Sequence, residues 1–61
     1  MNINTADKTA LMTLPGIGAS KAEDIIQYRK ENGSFQKIED IKKISGIKDA
    51  AFNKIKELIC V

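Results

Sequence analysis

Nine consecutive residues, Leu14-Pro15-Gly16-Ile17-Gly18-Ala19-Ser20-Lys21-Ala22, have the types and spacing needed to hold an anion. A tight turn that runs straight into a helix leaves several backbone N–H groups without an intrahelical acceptor. Those donors face outward at the positive end of the helix dipole, where a phosphate-like oxygen is stabilised. Gly16 and Gly18 remove side chains that would hold an anion away from the main chain. With Pro15, which cannot continue a preceding helix, both glycines are expected to release the backbone for a sharp reversal. Ile17, between them, is expected to turn inward and anchor the turn. Ser20 and Lys21 fall in the first turn of the next helix, where a hydroxyl and an ammonium add to the same site.

Taken alone, Gly-x-Gly is a weak signal, since many helical turns carry it for structural reasons only. Here it belongs to a longer pattern that continues, after three variable residues, into Ala22 and the apolar pair Ile25-Ile26. That pattern constrains the packing of the following helix as well as the turn. It also recurs.

Leu14-Pro15-Gly16-Ile17-Gly18 returns thirty residues later as Ile44-Ser45-Gly46-Ile47-Lys48. At the same offset Leu11 aligns with Ile41 and Ile25 with Ile55, so apolar matches apolar and glycine matches glycine. The chain therefore reads as two copies of one unit. Two departures within the turn bear on chemistry: Ser45 stands where the first copy has Pro15, and Lys48 where it has Gly18. Lys48 loses glycine's φ freedom but brings a cation to the same place. The second turn, Ser45, Gly46, Ile47 and Lys48, is thus expected to bind more through charge than through amides, or to serve as the structural twin.

The elements that must position these turns follow the same logic in both copies. Asn4 or Thr5 is expected to cap a short helix, with Asp7 in its first turn and Ala10, Leu11 and Leu14 facing inward. A second helix is expected over residues 19–32, with Ala22, Ile25 and Ile26 on one side and Gly33 as its stop. In the second copy Ile38, Ile41 and Ile44 share a face of a short helix. Asp49 then opens a last helix, along which Phe52, Ile55 and Ile59 repeat at spacings of three and four. Phe35 is expected to pack between the two units. No segment alternates as a half-buried strand would. The expected fold is all-α: about four short helices in two tandem hairpins, related by a pseudo-two-fold axis. The chain forms a single domain, the first motif covering about residues 4–33 and the second about 38–60.

Composition limits the function classes. With 43% hydrophobic and 30% charged residues and one proline, the 61-residue chain is expected to fold rather than stay disordered. No apolar run approaches the ~20 residues of a membrane span, and no targeting segment opens the chain. The 10 basic and 8 acidic residues leave a formal charge of +2, so long-range attraction for a polyanion is weak and local donors must do the binding. Cys60 is the only cysteine and histidine is absent, so neither a disulfide nor a zinc site is expected, and no other cofactor or metal. Glu23-Asp24 and Glu39-Asp40 are adjacent pairs, which do not face each other on a helix and form no acid–base dyad. Lys42, Lys43, Lys54 and Lys56 read as solvated surface. Arg29 and Lys30 could pair with Glu23 or Asp24, and Tyr28 reads as a partly buried packing residue.

Leu14 to Gly18 with Ala22 resembles the helix-hairpin-helix motif of DNA-binding proteins that ignore base sequence. The resemblance widens through Ile3-Asn4-Thr5-Ala6, Tyr28-Arg29, Asn32-Gly33 with Phe35, Ile38-Glu39-Asp40-Ile41 and Ser45-Gly46-Ile47. Over nearly the whole chain it is similar to the DNA-binding domain of ComEA-type competence proteins, receptors that capture DNA for uptake. That resemblance implies double-stranded DNA as the partner, contacted by both hairpins across the minor groove through the phosphate backbone. The expected contacts are Pro15, Gly16, Ile17, Gly18, Ser20 and Lys21, then Ser45, Gly46, Ile47 and Lys48. It implies no small-molecule substrate and a setting outside the cytoplasmic membrane, in a membrane-anchored or secreted parent. The family's N-terminal anchor has no counterpart here, so a soluble excised domain or a stand-alone relative is expected.

Two other classes compete. Some base-excision glycosylases carry the same hairpin, and those that cleave the strand place a nucleophilic lysine two residues past its second glycine. Ser20 occupies that position, Lys21 lies one residue late, and 61 residues leave no second domain to receive a flipped base, so no enzyme is expected. A helical protein-interaction scaffold without nucleic acid is the alternative, with the near-neutral charge in its favour.

Overall fold

The computed structural model describes residues 1–61. It contains four helices: α1 at Lys8–Leu11, α2 at Ala19–Asn32, a 3-10 helix at Ile38–Lys43 and α3 at Asp49–Ile55. The all-α architecture of two helical hairpins is as the repeat implies. Helix α1 packs on α2, and the 3-10 helix packs on α3. Fourteen buried residues, all apolar, form one cluster that draws on both copies. Leu11, Ile25, Ile41, Ile47 and Ile55 in it are fully buried.

The equivalent of α1 in the second copy is a 3-10 helix because its apolar residues recur every third position. Ile38 and Ile41 superpose on one face at three residues per turn, whereas an α-helix would rotate them apart, and Ile44 follows as the extended C-cap. Ile41 and Ile44 are buried and Ile38 is half-buried against the core.

Asn4 and Thr5 do not cap α1. Asp7 does, its Oδ1 accepting from the Ala10 amide at 2.8 Å. The Asn4 side chain is engaged elsewhere: Nδ2 donates to Phe35 O at 3.1 Å and Oδ1 accepts from Phe35 N at 2.7 Å. This reciprocal pair fixes the connection between the two copies to the start of the chain. Phe35 is buried there with its ring stacked on Tyr28, centroids 5.0 Å apart.

Arg29 also departs from expectation, pairing with neither Glu23 nor Asp24. Its Nη1 donates to Ile3 O at 2.8 Å and to Ala6 O at 2.7 Å, tying the N-terminal segment to α2. Both bonds are charge-assisted and partly shielded from water. Arg29→Met, which keeps most of the apolar stem, is expected to cost about 1.5–3 kcal/mol of stability in urea unfolding. A loss below about 0.5 kcal/mol would contradict a structural role for these bonds.

Glu23 pairs instead with Lys8, whose Nζ donates to Oε1 at 2.7 Å. That hydrogen bond, and then the ammonium's charge, hold the Glu23 carboxyl below the usual carboxylate range, slightly opposed by desolvation. The stabilisation is present above the unfolded carboxylate pKa and lost as pH falls through the lowered folded value. Both side chains are exposed, so it is small.

Helix α3 ends earlier than the spacing of Phe52, Ile55 and Ile59 implies, leaving Ile59 buried beyond the helix. The reason is pairing between the two ends of the chain. Ile3 N donates to Cys60 O at 2.9 Å, and Cys60 N donates to Met1 O at 2.7 Å, around a single parallel bridge between Asn2 and Cys60.

Candidate nucleic-acid interface

The two turns have the same backbone. Ile17 N donates to Leu14 O at 3.1 Å across Pro15-Gly16, and Ile47 N donates to Ile44 O at 3.1 Å across Ser45-Gly46. Gly16 has φ +79° and Gly46 φ +92°, the left-handed region required at the third residue of a type II turn. Ser45 therefore forms the same turn as Pro15. Past each turn, the helix begins on a residue in extended conformation: Gly18 (φ −92°, ψ −170°) and Lys48 (φ −106°, ψ −169°).

This comparison corrects one expectation. Gly18 is not needed to reverse the chain, because lysine adopts the same conformation thirty residues later. What glycine contributes at 18 is open access, since a Cβ built there would meet nothing within 4 Å.

Each predicted residue can now be placed. Pro15, Gly16, Gly18 and Ser20 are exposed on the first turn, as are Ser45, Gly46 and Lys48 on the second. Ile17 and Ile47 are buried, and their amides close the turns, so they anchor the site and offer no free donor. The amides of Gly16, Gly18, Ala19, Ser20 and Lys21 have no acceptor within the protein, and no side chain caps the start of α2. The equivalent amides of Gly46, Lys48, Asp49, Ala50 and Ala51 are likewise unpaired. Ala19 and Ala50 are absent from the contacts expected from sequence because they contribute only main chain, and an alanine side chain carries no signal of that.

Charge distinguishes the two turns. The first turn of α2 contains no acid, whereas α3 opens with Asp49. The Asp49 carboxylate is exposed and lies 3.4 Å from Lys42 Nζ, which also sits over the Phe52 ring. Lys42 is thus half-buried and engaged, and not the solvated cation its sequence suggests.

Lys21 reaches from one turn to the other. Its Nζ donates to Gly16 O at 3.3 Å, and a Cβ built on Gly46 would stand 3.4 Å from its Cε. Exposed glycine turns lie on either side of it, each opening into a helix start with unpaired amides.

The family model for the helix-hairpin-helix motif matches residues 1–60. The chain belongs to the helix-hairpin-helix family. It is 57% identical over its full length to ComE operon protein 1 of Bacillus subtilis, covering 30% of that protein. It is 43% identical over its full length to the human endonuclease/exonuclease/phosphatase family domain-containing protein 1, covering 11% of it. An uncharacterised Haemophilus influenzae protein is 42% identical over 60 residues, or 54% of its length. The chain thus spans less than a third of the Bacillus relative and about a tenth of the human one. No helix in the chain is long and apolar enough to cross a membrane.

Proposed function

We propose that this helix-hairpin-helix chain is a non-catalytic module that holds duplex DNA by its sugar-phosphate backbone, without reading base sequence. The observation that carries this reading is the set of unpaired amides at Gly16 and Gly18 to Lys21, on residues that are exposed as far as Ser20 and half-buried at Lys21. These amides would donate to a phosphate oxygen at the positive end of a 14-residue helix. The second turn would meet the opposite strand across the minor groove, through Lys48 more than through its amides, because Asp49 beside them opposes an anion. Ser20 would add a hydroxyl, while Pro15, Ile17, Ser45 and Ile47 would shape the turns. The buried side chains of Ile17 and Ile47 support positioning over direct contact for those two.

The resemblance to competence receptors, together with the similarity to ComE operon protein 1, supports a place in DNA uptake outside the cytoplasmic membrane. The similarity to proteins named for an endonuclease/exonuclease/phosphatase domain covers only 11% of their length, and the binding role is supported instead by the helix-hairpin-helix family match. Membership of the helix-hairpin-helix family likewise favours DNA over the scaffold alternative.

The test is a fluorescence-anisotropy titration of random-sequence duplexes over a range of salt. Similar affinities across sequences are expected, with log K falling about 0.9 per neutralised phosphate and a total slope of about −2 to −4. Amide NMR shifts should concentrate at residues 16–21 and 46–51. No binding at high micromolar protein in low salt would return the scaffold reading.

A further inference from the structure

In a two-fold arrangement, the midpoint between any pair of equivalent atoms lies on the axis. Gly16 and Gly46 are such a pair, with matching turns and matching positive φ. The end of the Lys21 side chain lies between them: Nζ donates to the Gly16 carbonyl at 3.3 Å, and a Cβ built on Gly46 would stand 3.4 Å from Cε. The thirty-residue offset makes Ala51 the counterpart of Lys21, so only the first copy sends a long cationic side chain between the turns. The ammonium has no carboxylate partner. Its one acceptor is the neutral Gly16 carbonyl, at 3.3 Å.

We propose that Lys21 faces the minor groove between the two hairpins, meets both phosphate backbones at once, and so sets a preference for duplex over single-stranded DNA. This rests on the reading above, in which each hairpin holds one strand. Two rows of phosphates flank a groove about 6 Å wide, and their potentials add within it. A cation on the axis is attracted by both rows of a duplex and by only one in a single strand. Lys48 is exposed at the start of α3, beside the second turn only, and in this reading meets one strand in either form.

Lys21→Met separates these roles, because methionine keeps an unbranched stem beside Gly46 and removes the charge. Affinity would be measured by anisotropy for a random duplex and for one of its strands, with the fold checked by circular dichroism. Lys21→Met is expected to weaken duplex binding about five- to tenfold, to lower its salt slope by about 1, and to weaken single-strand binding only about two- to threefold. Lys48→Met is expected to weaken both forms to a similar degree, leaving their ratio unchanged. If Lys21→Met weakens both forms equally, or neither, Lys21 does not discriminate and the proposal fails. Equal binding of both forms by the unaltered protein would also overturn it. Failure of the unaltered protein to bind any DNA would instead overturn the reading on which it rests.

Discussion

Gly18→Asn is expected to leave the fold intact and to weaken duplex binding about ten- to a hundredfold. Gly18 is the N-cap of α2 and makes no side-chain bond to the free amides of the first turn. An asparagine there would turn its own oxygen onto the amide of Ser20 or Lys21, as Asp7 already does for Ala10 in α1. Its Cβ meets no neighbour, and its backbone conformation is one that Lys48 adopts at the equivalent place. The helix gains a cap, changing stability by only a few tenths of a kcal/mol. The phosphate loses a donor and finds a side chain in its path. Gly18→Asp should weaken binding further, because it adds a negative charge to the same obstruction. Thermal unfolding and a duplex titration check both variants. A folded Gly18→Asn protein that binds duplex with unchanged affinity would mean that these amides hold no phosphate.

Gly16 is a poorer probe. Its φ of +79° strains any residue with a Cβ by about 1–2 kcal/mol, so lost binding there mixes lost contact with lost structure.

The second large effect is on folding. Ile47→Ala is expected to leave the chain largely unfolded at 25 °C. Ile47 is fully buried, and its truncation removes three carbons from a core of fourteen side chains. Such deletions cost about 2–5 kcal/mol. A domain of 61 residues without disulfide or metal rarely has more than about 3–5 kcal/mol to lose. Circular dichroism should show a low, broad melting transition or none, and DNA binding should be lost with it. Full helicity and an unchanged melting temperature would contradict the anchoring role of Ile47. Ile17→Ala should behave similarly but more mildly, since Ile17 is slightly more exposed.

Much of the molecule was legible in the sequence because its signals are local. The bounds of α2, the glycine turns, the inward isoleucines and the duplication all follow from spacings of a few residues, repeated once. The spacing of three between Ile38 and Ile41 suits the 3-10 form as well, although a spacing so short also fits one turn of α-helix. The cap at Asp7 was misplaced because Asn4 has an equal local claim. A contact with Phe35, thirty-one positions away, is what engages Asn4.

What amino-acid order determined by itself was the repeated unit: where the backbone must turn, which side chains go inward, and where amides are left without acceptors. These depend on φ preference and helical period, which act within one turn of chain. Tertiary structure alone decided how the copies meet. It pairs residues 1–3 with 58–60, directs Arg29 to the carbonyls of Ile3 and Ala6, and brings Gly46 against Lys21. Those contacts join positions far apart in the chain, and whether they form depends on how a shared apolar core closes, which no short pattern of residues encodes.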